Sequence, residues 1–234
     1  MLVLIGYIVA FGCIFGMYVL HGGSVGVLMK ALPFELVTIG GGALGAFIVS
    51  NQPKVLKATA KAIPSVLKPS RFTKARYMEI MALLYELLQK ARKEGLMSIE
   101  SDVEDPQSST VFQNYPSLLA DHHVMEFLTD YLRMMVSGNL NAHEIEALMD
   151  SEIEAHHAEA HGPVMALNRL AGALPAFGII AAVLGVVNTM AFVGQPPAVL
   201  GGMIASALVG TFRGILLAYA LVEPMAALLE QRAQ

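Results

Sequence analysis

Leu174-Pro175-Ala176-Phe177-Gly178-Ile179-Ile180-Ala181-Ala182-Val183-Leu184-Gly185-Val186-Val187 opens the first of two long apolar segments near the end of this 234-residue chain. Leu208-Val209-Gly210-Thr211-Phe212 and Gly214-Ile215-Leu216-Leu217-Ala218-Tyr219 lie in the second. From Leu174 to Tyr219 the chain carries Pro, Gly, Thr and Asn but neither Asp nor Glu. Two apolar segments facing each other across a short loop, furnished in this way, read as half of an ion pathway.

Composition agrees. Hydrophobic residues make up 55% of the chain, Trp is absent, and the mean hydropathy is +0.58, too apolar for an ordinary soluble domain. Four stretches approach or exceed the roughly 20 residues that span a hydrocarbon core: Leu2 to Leu20, Phe34 to Ser50, Ala173 to Val193 and Val199 to Val222. Lys54, Lys57, Lys61, Lys68, Arg71, Lys74 and Arg76 crowd after the second of these, which places that end in the cytoplasm. The stretches His21 to Pro33 and Gly194 to Ala198 carry only Lys30 between them, as an outward face would. The expected fold is therefore an all-α integral membrane protein with four transmembrane helices, both termini inside, and a helical cytoplasmic domain between spans two and three. The corresponding division is 1-50, 51-162 and 163-234.

The net charge of -4 and the absence of basic-aromatic interleaving exclude a nucleic-acid binder. Cys13, the single cysteine, permits no internal disulfide and no metal framework, and reads as a small core or lipid-facing residue. The N-terminus lacks the basic n-region of a signal peptide, so its apolar stretch reads as a retained span.

In the middle segment, Tyr77, Ile80, Met81, Leu84, Leu87 and Leu88 recur at three- and four-residue steps, predicting an amphipathic helix from Thr73 to Lys93 ended by Gly95. Glu100, Asp102, Glu104 and Asp105 cluster before Pro106. Pro116 precedes a second helix, Ser117 to Ser137, stopped by Gly138-Asn139. Asn141 with Glu144 three residues on is a capping-box start for a third helix running toward His161, and Gly162-Pro163 marks the approach to the third span. The glycines at 12, 16, 22, 23, 40, 41, 42 and 45 suit close helix packing.

These residues carry a specific resemblance. The segments quoted at the outset, with Gly6-Tyr7, Gly22-Gly23, Tyr115-Pro116 and Glu144-Ile145-Glu146-Ala147-Leu148-Met149-Asp150, occur in the order of the A subunit of the bacterial flagellar stator, and the likeness covers nearly the whole chain. The resemblance implies an inner-membrane, non-enzymatic subunit that forms a pentameric ring around two copies of a peptidoglycan-anchored B subunit. Ion flow would turn the ring, and its cytoplasmic helices would push on the rotor switch protein. Spans three and four hold no central carboxylate, so the titrating aspartate would come from the B subunit. Pro175 and Pro224 match the family's functional proline pair, each removing an N–H and freeing a carbonyl. Sodium-type members carry a threonine where this chain has Ala182, whereas the hydroxyl of Thr211 is common to both ion types; the transported ion implied is the proton, with sodium second. Arg92 and Glu100 match the family's charged rotor-contact pair, and Glu152 a further acidic position. No cofactor is implied.

Two features depart from the pattern. Arg213 stands where the family has an apolar or aromatic residue and is expected to snorkel to the cytoplasmic interface, with a place beside the ion path as the alternative. Glu35 and Glu223 are expected at span ends, where water or the interface solvates them. The chain stops at Gln234, where many relatives carry a longer charged tail.

Two other functions compete. Ring subunits that energise outer-membrane uptake or envelope constriction share the proton-driven ring, but usually have three spans. A membrane metal-dependent hydrolase would use His157 and His161 at i,i+4, yet His-Ala-Glu-Ala-His lacks the glutamate directly after the first histidine. His122-His123 reads as helix surface.

Overall fold

The computed structural model describes residues 2–66, 73–138 and 141–233, and among these every regular element is helical. Lys68, Arg71, Asn139 and Gln234 lie outside the described residues. Two compact units form, Met1–Pro69 with His157–Gln234 and Ser70–His156.

The first unit contains four helical runs long and apolar enough to cross a membrane. The first, α1 (Leu2–Leu20), has no charged residue and buries none of its side chains within the chain. The second begins at Val25, nine residues before the expected Phe34. It comprises α2 (Val25–Glu35), a π-helical segment Leu36–Gly41 and α3 (Gly42–Ser50). Its early start leaves a tight connection in which Gly22 adopts φ 79°, a left-handed conformation that glycine enters without a Cβ penalty. After Asn51 the chain re-enters α4 (Pro53–Val66), an amphipathic helix that the sequence reading left within the polar segment.

The remaining spans belong to α10 (Ala142–Met190) and to α11 (Pro197–Leu217), which continues through a π-helical segment Ala218–Val222 into α12 (Glu223–Ala233). Helix α10 runs unbroken through Gly162-Pro163, joining the helix expected to run toward His161 and the span expected from Ala173 into one. Helix α4 packs on α12, Val66 and Ala62 meeting a core that includes Ala226 and Leu229. Arg232 donates to the carbonyls of Ser65 and Val66, and Arg169 to that of Ser50 at 3.3 Å. Both arginines thus satisfy carbonyls that helix ends leave orphaned.

The second unit is built on α5 (Lys74–Glu94), close to the expected Thr73 to Lys93. Thr73 caps it and Gly95, at φ 92°, ends it. A 3₁₀ turn Leu96–Ile99 leads into α6 (Glu100–Glu104), α7 (Thr110–Gln113), α8 (Pro116–Leu119) and α9 (His122–Ser137). The helix expected from Ser117 to Ser137 is thus two helices, because Asp121 leaves helical geometry and caps α9 through Val124 N–H. Leu83, Leu87, Ile99, Phe112, Leu118 and Leu132 form the buried core. Gly138, at φ 64°, terminates α9. Asn141 Oδ1 then accepts from Glu144 N–H at 3.0 Å while Glu144 Oε2 accepts from Asn141 N–H at 2.9 Å, the reciprocal capping box that starts α10.

Candidate ion path and charged surface

The seam between the membrane half of α10 and α11 is made by small residues. A Cβ added to Gly214 would lie 2.7 Å from the Leu174 carbonyl and 2.8 Å from Gly178 Cα, so the two backbones touch. One added to Gly210 would meet Ala181 Cβ at 3.2 Å and Ala182 N at 3.4 Å; one added to Gly185 would meet Ala207 Cβ at 2.6 Å. Close approach of this kind brings dispersion contact and leaves no room for a larger residue. The glycines emphasised by the sequence contribute less: Gly12, Gly16, Gly40, Gly41 and Gly45 meet nothing within 4 Å, whereas Gly42 abuts the Phe177 ring.

This seam collects three of the four candidate path residues. Ala182 is buried against Gly210, whose chain neighbour is the half-buried Thr211. Pro175 follows Leu174, whose carbonyl rests on Gly214. Thr211 lies on a stripe of α11 with Ile204, Leu208 and Ile215, continued by Tyr219 in the π-helical segment, all partly or well exposed within the chain, which leaves a largely apolar face on which Thr211 is the small hydroxyl. Pro224 is exposed and set apart, two residues beyond the π-helical Ala218–Val222. The wide turn just before it accommodates a ring that would otherwise press on the carbonyl four residues back. Thr189 was not singled out by sequence; its buried hydroxyl donates to Gly185 O at 2.9 Å and is satisfied within its own helix.

Arg213 corrects the snorkelling expectation, and Glu35 the expectation of a solvated carboxylate. Glu35 is 4% exposed. Its Oε2 accepts from Arg213 Nη1 at 2.5 Å, and Arg213 Nη2 donates to the Leu28 carbonyl. An unpaired arginine in a bilayer costs several kcal/mol; here the guanidinium is paired and hydrogen-bonded between the second and fourth spans.

On the second unit, Arg92 near the end of α5 and Glu100 at the start of α6 are exposed and make no ion pair among the described residues. The turn between them is fixed by the buried Asp102, which accepts from Lys90 at 2.6 Å and from Ser109 Oγ at 2.7 Å. In the sequence Asp102 is one of a run of acids; only folding reveals it as the support for its exposed neighbour. Glu152 is held differently. Its carboxylate accepts from the Tyr131 hydroxyl at 2.6 Å, and this hydrogen bond, with burial and the Glu152 charge, pushes the phenol up to about 12. Hydrogen bonds from Arg133 to Glu104 at 2.7 Å and Asp130 at 2.9 Å raise the guanidinium above its ordinary value. His122, His123 and His156 are exposed, and no metal-competent cluster occurs among the described residues.

Residues 4–95 match the motility protein A N-terminal family, and residues 119–234 the MotA/TolQ/ExbB proton channel family. The chain is 51% identical to motility protein A of Salmonella typhimurium over 232 residues, covering 99% of this chain and 78% of that protein. It is 49% identical to motility protein A of Escherichia coli over the same shares of each chain. The solved flagellar MotAB stator complex from Bacillus subtilis superposes with a TM-score of 0.76 at 26% identity, covering 98% of this chain and 81% of that one. With two family models matched in succession and half of its residues shared across nearly its full length, the chain belongs to the motility protein A family of the MotA/TolQ/ExbB proton channels.

Proposed function

We propose that the chain is the ring-forming subunit of a proton-driven flagellar stator in the bacterial inner membrane, with both termini in the cytoplasm. Five copies surround two copies of a peptidoglycan-anchored B-type subunit, whose membrane aspartate carries the proton. The ring's second unit then pushes on the rotor switch protein, and no enzymatic step is involved.

The observation that carries this reading is the α10–α11 seam. It is backbone-tight, has no Asp or Glu from Leu174 to Tyr219, and leaves an apolar face with Thr211 on it. Such a surface can flank an ion path but cannot itself bind and release a proton, so the titrating group has to arrive on a partner helix. Ala182 supports the proton over sodium, since sodium requires several oxygens to replace its hydration shell and a methyl supplies none. Pro175 beside the seam and Pro224 beyond the π turn are the places where span geometry changes when that carboxylate is protonated. Arg92 and Glu100 supply the charged contact to the rotor, with Glu152 a further acidic position. The transport-energiser alternative shares the proton channel family, but four membrane-length helices and the motility protein A matches favour the stator.

The test is expression with a cognate B-type partner in a motile bacterium lacking stators, measuring tethered-cell rotation while external pH and sodium are varied separately. Rotation that follows the proton-motive force is expected. Rotation that requires sodium overturns the ion assignment, and none despite membrane assembly overturns the stator reading.

A further inference from the structure

The Glu35–Arg213 pair is unlike anything else in the spans. Helices α2 and α11 both begin at short connections, and successive spans alternate direction, so the two run in parallel. Glu35 is ten residues into its helix and Arg213 sixteen into its own, about 15 Å and 24 Å along the axes at 1.5 Å per residue. The Glu35 side chain leans back toward the start of its own helix, so the guanidinium meets it in the two-turn interval between Leu28 and Glu35, contacting the carbonyl of one and the carboxylate of the other. Both groups therefore meet well inside a hydrocarbon core of roughly 30 Å. The Arg213 side chain is 14% and the Glu35 side chain 5% exposed, and the residue pair is 178 positions apart in sequence.

Few other charges lie on the packed helices. Helix α1 has none; its titratable side chains are Tyr7, whose hydroxyl donates to Leu221 O at 3.0 Å, the exposed Cys13, and Tyr18, whose hydroxyl donates to Ser24 O at 3.2 Å. On the second span the one other charged side chain is the exposed Lys30, and α10 has none from Leu170 to Met190. Glu223 and Glu230 lie ten or more residues beyond Arg213 on the same helical run and are exposed, and Glu35 is the anion paired with Arg213. Arg213 is two residues from Thr211, and on the opposite side of the same helix, about 10 Å away, a helix diameter.

We propose that Glu35 and Arg213 are a positioning pair for ion-driven rotation: they lock the second span to the fourth in one axial register, and Glu35 cancels the charge that Arg213 would otherwise project onto the cation path at Thr211. The proposal rests on the stator reading above. An uncancelled unit charge about 10 Å away, in a medium of effective dielectric ~20, weakens proton binding by about one pH unit. A pair that served only packing would leave the pH dependence of rotation unmoved.

The wild type, E35Q, R213L and E35Q/R213L are expressed with the B-type partner in the stator-less strain. Membrane amount, heat stability of the solubilised complex and rotation speed against external pH are measured for each. E35Q is expected to slow rotation per assembled complex and to lower the external pH of half-maximal speed by about one unit. R213L shifts that pH the other way, and E35Q/R213L returns amount, stability and pH profile close to wild type. Unchanged speed and pH dependence in E35Q at equal membrane amount overturns the proposal. If E35Q does not accumulate, recovery of amount and speed in E35Q/R213L supports the pairing and lack of recovery overturns it. A wild type that does not rotate defeats the stator reading alone, and the register lock then stands or falls on whether the double variant restores the heat stability lost in E35Q.

Discussion

Tyr131 and Glu152 show how a single contact reshapes a residue's meaning. By resemblance Glu152 is an acidic surface position; in the fold its carboxylate ties α10 to α9 through the buried tyrosine hydroxyl. The phenol is raised from 10.0 to about 12, so the folded state holds its proton more tightly than the unfolded chain. The hydrogen bond's contribution is therefore fully present below pH 10 and is lost as pH rises through about 12. Y131F is expected to lose the share of alkaline destabilisation that falls in this window, read as heat stability against pH with tyrosinate absorbance in parallel; superimposable curves for the two proteins would refute the assignment. Arg92 and Glu100 were legible as exposed charges, because surface helices and turns need no long-range partner to be read. Glu35 and Arg213 were not legible as a pair, since no local spacing connects residues on different spans and an isolated membrane arginine is sensibly expected to seek water.

Elements follow local chemistry more closely. Gly95, Gly138 and the Asn141–Glu144 capping box sit where their turn and cap preferences demand, and the termini of α5, α9 and α10 were readable for that reason. Gly162-Pro163, read as the approach to the third span, lies inside α10, the helix that carries that span. A proline removes one N–H and frees one carbonyl, which a helix of 49 residues tolerates when its neighbours remain bonded. The seam of α10 and α11 was visible as composition, but which glycines make contact was not: Gly178, Gly210 and Gly214 do, whereas Gly201 meets nothing within 4 Å. G214A has to push the α10 and α11 backbones apart and is expected to destabilise the purified chain by ~1–3 kcal/mol, while G201A, in open space within a helix, is expected to be neutral or mildly stabilising. Equal heat stabilities for these two variants would show that the seam is looser than its geometry. At the turn before α6, D102A strips Lys90 and Ser109 of their shared acceptor, and an expected loss of ~1–3 kcal/mol is measurable by chemical denaturation of the intact protein.

The whole molecule divides its labour between two units. One has few charged side chains in its spans, with Glu35 and Arg213 paired there, and apolar faces on its exterior; the other is a small helical body with its own core and an exposed charged turn. Four spans and an intervening helical body were legible because hydropathy and basic flanks are additive along a sequence. The assignment of α4 to the membrane-associated unit was not, since it depends on α12 arriving from the far end of the chain. Arg92 and Glu100 allow the proposed rotor contact to be tested without disturbing the spans. An exposed charge pair across an interface contributes ~0.2–1 kcal/mol, so R92E or E100K is expected to lower rotor engagement by roughly two- to fivefold, with membrane amount and ion conduction unchanged. The loss should be greatest at high load, where each productive contact must hold against the rotor, and should shrink as load falls. Torque-speed curves of tethered and bead-loaded flagella measure both limits. Curves that coincide with wild type would remove this surface from the rotor contact, and a parallel loss of membrane assembly would assign the two charges to folding instead.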